Sequence, residues 1–427
     1  MTMAIEPYHS EFAGLRNKRC PSDSRLGRLP KAGSLFLRLP GQPLATHHPA
    51  LVDRTNGMKR RILYLVGQLG SGGLERQLYL LLQLMDRDRY RPEVVVWNFS
   101  EGDCYVEPIR TLGVPVIFFA TGASPLAKLI ALRRFVLQTQ VEVIHSFTFY
   151  TNIAAWFASI STKSLALGSV RSNFTNDKIT CGYILGRLDA RWPRVQIYNN
   201  LTGARHANRS SGLFVPKRIF VVRNGLDLEQ FTTVPLSCYG PVRIAAVGSL
   251  IRLKRWDRLL LAACNLVSRH LDFRLEFAGN GPLRQELEEL ARALGVGGRV
   301  TFWGHIDDVS RFIAASTFLV HTSDVEGCPN VVMEAMACGR AVIATDVGDV
   351  RSLVEDGTTG FVIEPNDDAG LADRIAILVK DRDLCRQMGT AARNKAVRHF
   401  GFDRVVQETF AAYRAAGWND AMPSADQ

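Results

Sequence analysis

His321-Thr-Ser-Asp-Val-Glu-Gly-Cys-Pro-Asn-Val-Val-Met-Glu-Ala-Met-Ala-Cys-Gly339 is the stretch whose reading decides the fold. It closes the apolar run Phe318-Leu-Val, which reads as a buried strand, and passes through the Glu326-Gly327 loop to Pro329, where a first helical turn can begin. Gly339 supplies the stop. On this reading Glu326 lies in the loop and Glu334 about one turn into the helix, with the free backbone N–H groups near Asn330 and Val331 offered to an anion such as phosphate. Apolar Val331, Val332, Met333, Ala335 and Met336 flank Glu334, so little of this helix is left for a casual surface charge. A carboxylate accepts two hydrogen bonds at once, which suits the adjacent hydroxyls of a ribose.

Outward from this stretch, apolar runs of four to seven residues alternate with longer amphipathic segments, the pattern of β-α repeats around parallel sheets. Strands are expected at 61–66, 93–97, 114–119, 141–145, 165–170, 195–198 and 218–222. A second series is expected at 242–248, 273–278, 299–303, 317–321, 341–345 and 361–363. The segment 231–241, rich in Pro, Ser and Thr, reads as a linker. The expectation is an α/β protein of two Rossmann-like domains, with ligand bound where the carboxyl ends of the strands open into a cleft.

At 427 residues, 47% hydrophobic and 22% charged, the chain is long enough for two cores. The net charge of +11 is concentrated at the start, where residues 1–60 hold ten Lys/Arg against four acids. Residues 1–57 lack periodicity and an apolar secretion signal, and read as a basic unstructured extension or the product of an upstream start codon; the first firm element begins at Met58. The eight cysteines are scattered singly without a Cys-x-x-Cys pair, which points to free thiols in a reducing compartment and away from a zinc site. No run of about 18 apolar residues is present, so a membrane span is not expected.

Two glycine-bearing loops follow first strands. Gly67-Gln-Leu-Gly70-Ser-Gly72-Gly73-Leu-Glu75 lets backbone approach a ligand ahead of a helix start, making Gly72 and Gly73 candidates for an acceptor or phosphate loop. Its spacing departs from the dinucleotide fingerprint G-x-G-x-x-G. In the second half Gly248-Ser249-Leu-Ile-Arg252-Leu-Lys254 stands in the same place, and its cations could clamp a diphosphate. His145 and Arg171, at the ends of the fourth and fifth strands, stand where ligand-lining residues belong. His305 and His321 fit as ordinary strand-end residues. Asp86-Arg-Asp88 falls between a helix and a strand and reads as a polar turn rather than a metal site.

The motif Glu326 to Glu334 resembles the paired-glutamate signature, seven residues between, of the GT4 family of retaining, nucleotide-sugar-dependent glycosyltransferases, which adopt the two-domain GT-B fold. The likeness runs from Met58 to about Tyr413. It takes in the loop Gly72 to Glu75, Val143-Ile-His145-Ser146, Ser169-Val-Arg171, Asn224-Gly-Leu-Asp227, Ala278-Gly-Asn-Gly281 and Glu355-Asp-Gly-Thr-Thr-Gly360. The resemblance implies two Rossmann-like β/α/β domains facing across a central cleft. Residues 58–235 would bind the acceptor and 236–400 the nucleotide sugar, while 401–427 would form a helix packing back on the first domain and a short tail.

By the same resemblance Glu334 would hold the ribose, Glu326 the donor sugar and Lys254 the diphosphate, with Gly248, Arg252, Asn330 and Val331 around the donor. His145, Glu326 and Lys254 would be the catalytic candidates. One departure is Ser249, where many relatives carry arginine; Arg252 is the available substitute. The implied activity is transfer of a hexosyl group to a lipid-linked or polysaccharide acceptor in cell-surface glycan synthesis. Neither metal nor cofactor is expected, and the nucleotide sugar is a substrate. A GT-B epimerase and a non-catalytic nucleotide-sugar-binding relative are the alternatives. The basic first half (Arg76, Arg87, Arg89, Arg91, Arg133, Arg134, Arg187, Arg191, Arg194) suits a cytoplasmic protein touching an anionic membrane at its inner face, and lacks the interleaved aromatics of a nucleic-acid binder.

Overall fold

A computed structural model describes residues 59–210, 214–237 and 239–421, together with the backbone of Leu44–Thr46. The expectation for residues 1–57 therefore lies, apart from that short strand, outside the described residues. Among the described residues fourteen strands are formed: β1 Leu44–Thr46, β2 Arg60–Val66, β3 Tyr90–Val96, β4 Val116–Phe119, β5 Val143–Ser146, β6 Leu165–Val170, β7 Val195–Tyr198, β8 Arg218–Val221, β9 Val242–Val247, β10 Phe273–Ala278, β11 Val300–Gly304, β12 Phe318–His321, β13 Ala341–Thr345 and β14 Gly360–Ile363. Every strand expected from the sequence is present. Only β1, which pairs antiparallel with β4, was not foreseen.

The chain divides into two compact units, one of Met1–Gly168, Thr175–Arg194 and Gly417–Gln427, the other of Ser169–Phe174 and Val195–Ala416. In the first, the strands stand in the order β1-β4-β3-β2-β5-β6, and β2 to β6 are parallel. Their runs of Val, Ile and Leu are buried on both faces, as a sheet covered by crossover helices requires. The helix Gly73–Leu84 follows β2, and the strand order reverses between β2 and β5. Trp418 and Asp420 of the tail close this unit: Trp418 Nε1 donates to Glu142 Oε2 at 3.0 Å, and Tyr90 Oη donates to the buried Asp420 at 2.8 Å.

The second unit holds the parallel pair β7-β8 and a six-stranded parallel sheet ordered β11-β10-β9-β12-β13-β14. Counted from β9 this is 3-2-1-4-5-6, the doubly wound order, with its switch point between β9 and β12. Two cores cover its faces, one around Trp256, Phe273 and Phe277, the other around Leu319, Val332, Met336 and Val342.

Residues 195–235 and the helix Phe402–Ala415 belong with the second unit. Polar contacts account for this. The buried Asp349 carboxylate accepts from Leu201 N at 2.9 Å, Thr202 N at 3.0 Å and Arg223 Nε at 2.9 Å. Leu226 N donates to Phe400 O at 2.7 Å, and Arg404 donates to the carbonyl of Asn224 at 3.0 Å.

Candidate donor site at the switch point of the second sheet

The two strands flanking the switch point deliver the two loops singled out in the sequence. After β9 the chain turns at Gly248, whose φ of +152° lies where side chains are strained. The carbonyl of Gly248 sits so close to Gly279, itself at φ +143°, that a Cβ on Gly279 would collide with it. Glycine at 279 therefore lets the loop after β10 lie against the loop after β9. Trp256 Nε1 donates to Ser249 O at 3.0 Å and anchors the turn from within the core. A short 3-10 turn, Arg252–Lys254, follows.

Thr322, just past β12, ties the loops together by donating to the carbonyls of Lys254 at 2.8 Å and Arg255 at 3.0 Å. Asp324 N donates to Leu253 O at 2.9 Å. The Arg255 guanidinium is engaged by Asp257 and Asp324. Lys254 is thereby aimed at Glu326, and the two meet at 2.5 Å with 22% and 16% of their side chains exposed.

Glu326 has a second partner. His321 Nε2, at the last residue of β12 and fully buried, stands 3.1 Å from the same carboxylate oxygen, and Ser323 Oγ lies 3.2 Å from that nitrogen. Burial pushes the Glu326 carboxyl up, but the Lys254 ammonium and the His321 hydrogen bond outweigh it and hold the group well below the ordinary carboxylate range. An ionised carboxylate only accepts, so the proton on His321 sits at Nε2. His321 Nδ1 is buried and has no hydrogen-bond partner. The sequence reading passed over His321 as an ordinary strand-end residue; its place two residues before Ser323 and five before Glu326 was the available signal.

The helix Asn330–Ala337 starts as expected after Pro329, and Glu334 is buried one turn in, with 4% of its surface exposed. Gly339 ends it in the left-handed region at φ +70°. Asn330 is tied down through its side chain: Asn224 Nδ2 donates to Asn330 Oδ1 at 2.8 Å and to Cys328 O at 3.2 Å. Val331 follows in the first turn, half-buried. Arg171 joins this neighbourhood, since Asn199 Nδ2 donates to its carbonyl at 3.0 Å and to Asn224 Oδ1 at 3.4 Å. Burial lowers the Arg171 guanidinium to about 10. Arg252 is exposed at the rim of the loop.

The remaining expected residues lie in the first unit. Gly72 is the N-cap of the helix Gly73–Leu84, and a Cβ there would strike the Glu75 carboxylate, which folds back over the helix start. Glu75 is buried, and desolvation, against a backbone hydrogen bond and with Asp103 adding to it, raises its carboxyl to about 7. Leu69 N donates to Asp103 Oδ2 at 3.0 Å and Gly67 N to Thr148 Oγ1 at 2.9 Å, fixing the glycine-rich loop to the ends of its neighbours. His145 has no exposed surface and packs between the rings of Tyr64 and Phe147, with centroids 5.9 and 4.8 Å away. Asp86 Oδ1 accepts from Asp88 N at 3.0 Å and Arg89 N at 3.1 Å, the polar turn read from the sequence. Among the described residues no group of three or more His, Cys, Asp or Glu is arranged to hold a metal ion, and no helix is long and apolar enough to cross a membrane.

A cavity of about 470 Å³ also opens on the second unit, lined by Arg223, Asn224, Met333, Lys395, His399 and Arg404 among others. It includes none of Lys254, Glu326 and Glu334. The switch point, where residues from both flanking loops converge, is the chemically equipped place.

Known proteins resemble this chain in sequence and in fold. Residues 239–395 match the family model described as glycosyl transferases group 1. N-acetyl-alpha-D-glucosaminyl L-malate synthase of Bacillus anthracis is 31% identical over 195 residues, 46% of this chain and 50% of that protein. The chain thus spans about half the length of that relative. A Campylobacter jejuni protein, GalNAc-alpha-(1->4)-GalNAc-alpha-(1->3)-diNAcBac-PP-undecaprenol alpha-1,4-N-acetyl-D-galactosaminyltransferase, is 24% identical over 358 residues, 82% of this chain and 96% of that one. Among solved structures, Anabaena HepE in complex with UDP and glucose superposes with a TM-score of 0.71 at 20% identity, covering 83% of this chain and all of HepE. That likeness speaks for the fold, two Rossmann-like α/β domains of GT-B type. Residues 239–395, which contain the paired loops of the switch point, are thus similar to the group 1 glycosyl transferases.

Proposed function

We propose that the protein is a retaining glycosyltransferase of GT4 type that moves a sugar from a nucleoside-diphosphate sugar to a lipid-linked or polysaccharide acceptor. The observation that carries this reading is the Lys254–Glu326–His321 cluster at the switch point, with buried Glu334 eight residues beyond Glu326 in the following helix. Glu334 receives the two ribose hydroxyls. Lys254 and the first N–H groups of the Asn330 helix take the diphosphate, whose negative charge grows as the glycosidic bond breaks. Glu326, held ionised by Lys254 and His321, accepts hydrogen bonds from the donor sugar's hydroxyls and keeps Lys254 oriented before the donor arrives.

Fixed dipoles and Lys254 supply leaving-group stabilisation without a metal ion. Glu326 and Glu334 are assigned binding roles rather than the nucleophile and acid–base roles of a glycosidase pair. Arg171 and the Gly72–Gly73 loop are assigned to the acceptor or the phosphates. The UDP and glucose held by HepE and the undecaprenol named for the Campylobacter relative support a nucleotide donor and a lipid-linked acceptor. The net charge of +11 supports work at the inner, anionic face of a membrane in cell-surface glycan synthesis.

The test is incubation with radiolabelled UDP-, GDP- and ADP-sugars and bacterial lipid extract in EDTA, with the anomeric configuration of the product read by NMR. Label entering the lipid fraction with configuration retained, and lost in Glu334→Ala, is the expected result. Release of label without an acceptor product, inversion at the anomeric carbon, or a need for added divalent metal would each contradict the corresponding part of the reading.

A further inference from the structure

The first unit carries an apolar tip that its own core does not use. Helices Phe174–Thr180 and Leu185–Arg191 form a hairpin around Cys181 and Gly182. Ile179, Tyr183, Ile184 and Leu185 stand there with 71%, 78%, 69% and 57% of their surfaces exposed. Single exposed apolar residues are ordinary, but four within seven positions at one turn make a patch.

Backbone contacts close this tip. Gly182 takes the left-handed conformation at φ +83°. Gly186 lies against the carbonyl of Lys178 so closely that a Cβ would collide with it, so the two helices touch backbone to backbone. Gly182 N donates to Ile179 O and Gly186 N to Gly182 O, both at 3.0 Å. The hairpin is in turn fastened to the body of the unit by the buried Asp189, whose carboxylate accepts from Ile153 N at 2.8 Å. The hydrophobic residues are thus held out by structure rather than left out by looseness.

The segment that carries the patch is rich in cations. Between 175 and 194 stand Lys178, Arg187, Arg191 and Arg194 against Asp177 and the buried Asp189. The Arg187 guanidinium lies 3.6 Å from the centre of the Tyr183 ring and also donates to the Tyr183 carbonyl at 2.8 Å. Arg194 lies 4.7 Å over the Trp192 ring, which stacks on Trp156. Exposed aliphatic and aromatic side chains with an arginine against the ring and a lysine beside them in sequence match the boundary between anionic headgroups and acyl chains.

We infer that the 179–185 tip is a docking wedge for an anionic lipid bilayer, with Ile179, Tyr183, Ile184 and Leu185 entering the interface and Lys178 and Arg187 meeting the headgroup phosphates. The inference rests on the membrane-contact part of the proposed function and names the surface that makes it. Charge complementarity selects this occupant over a second copy of the chain, because two such basic tips repel.

The experiment is co-sedimentation of the full chain with phosphatidylcholine vesicles and with vesicles containing 30% phosphatidylglycerol. The chain is expected to pellet with the anionic vesicles and to be released by salt, since the charged contribution is screened. The fourfold variant Ile179→Ser/Tyr183→Ser/Ile184→Ser/Leu185→Ser should partition at least tenfold more weakly at an unchanged melting temperature. Leu126→Ser/Ile130→Ser/Leu137→Ser, which removes exposed apolar residues of the helix Pro125–Thr139, should partition like the parent. Hydrogen exchange on the unaltered chain should show vesicle-dependent protection across 176–187.

A parent chain that ignores anionic vesicles overturns both the inference and the membrane reading. A parent that binds while the fourfold variant binds equally, or whose protection falls elsewhere, overturns the wedge and leaves membrane contact standing. A concentration-dependent dimer in sedimentation velocity that the fourfold variant abolishes assigns the tip to self-association and overturns it as well.

Discussion

Replacing Lys254 with alanine should destabilise the second unit in a manner that depends on pH. In the parent protein Glu326 loses water on folding and is compensated by Lys254 at 2.5 Å and His321 at 3.1 Å. Removing the ammonium leaves a largely buried carboxylate with the single His321 hydrogen bond. The loss of a charge-assisted hydrogen bond plus the unpaired burial of the carboxylate amounts to about 2–3 kcal/mol at pH 7.5.

The sign of the pH dependence follows from the two states of Glu326. In the parent the folded carboxyl lies below its ordinary value of 4.5, so the pair's stabilisation is fully present above that value and is lost as pH falls through the depressed one. In Lys254→Ala the burial that now loses the contest acts with only His321 to oppose it. The carboxyl moves up, and its ionisation costs stability as pH rises. Urea unfolding of parent and variant should therefore differ most at pH 7.5, less at pH 4.5, where the variant's carboxyl is protonated, and least as pH falls further towards the depressed value of the parent's carboxyl. The double variant Lys254→Met/Glu326→Gln should lose less than the single variants sum to, because it leaves no unpaired charge. A difference that stays constant from pH 4.5 to 7.5 would refute the claim that Lys254 compensates Glu326.

Asp349→Ala should cost roughly 3–5 kcal/mol, because it strips the acceptor from Leu201 N, Thr202 N and Arg223 in a buried place. A loss below about 1 kcal/mol in urea unfolding would contradict that count of orphaned donors. Glu75 has a folded carboxyl raised to about 7, so the folded state holds a proton that the unfolded chain releases, and the group costs stability as pH climbs from the ordinary carboxylate range past 7. Glu75→Gln stays neutral throughout and should gain on the parent between pH 5 and 8, by on the order of 1–3 kcal/mol at the upper end. Parallel stability curves for the two proteins would contradict it.

The sequence carried the strands because buried parallel strands write themselves as uninterrupted Val, Ile and Leu, and the six of the second sheet fall within a few residues of expectation. It carried Glu334 because a charge amid Val331, Val332, Met333, Ala335 and Met336 has few bland uses, and Lys254 because it follows a first strand. It did not carry His321 as a partner of Glu326, since a histidine closing a strand looks the same whether its ring meets a carboxylate or only neighbouring side chains. Nor did it carry how His145 packs, because position at a strand's end does not tell that its ring lies beside Tyr64 and Phe147. Asp349 lay hidden because its partners are backbone N–H groups about 150 residues away in sequence. The wedge at 179–185 was written as four apolar residues in a short segment without helical periodicity, a pattern that gains meaning only when the hairpin shows them exposed.

The most direct measurement is thermal unfolding of the full chain with UDP, GDP and ADP in EDTA, alongside Glu334→Ala. One nucleotide at 100 times its dissociation constant should stabilise the parent by about 2.7 kcal/mol. The variant should lose most of that shift, since the carboxylate that takes the ribose hydroxyls is gone. Equal stabilisation of parent and variant, or none by any nucleoside diphosphate, would contradict a donor site built on Glu334 at the switch point.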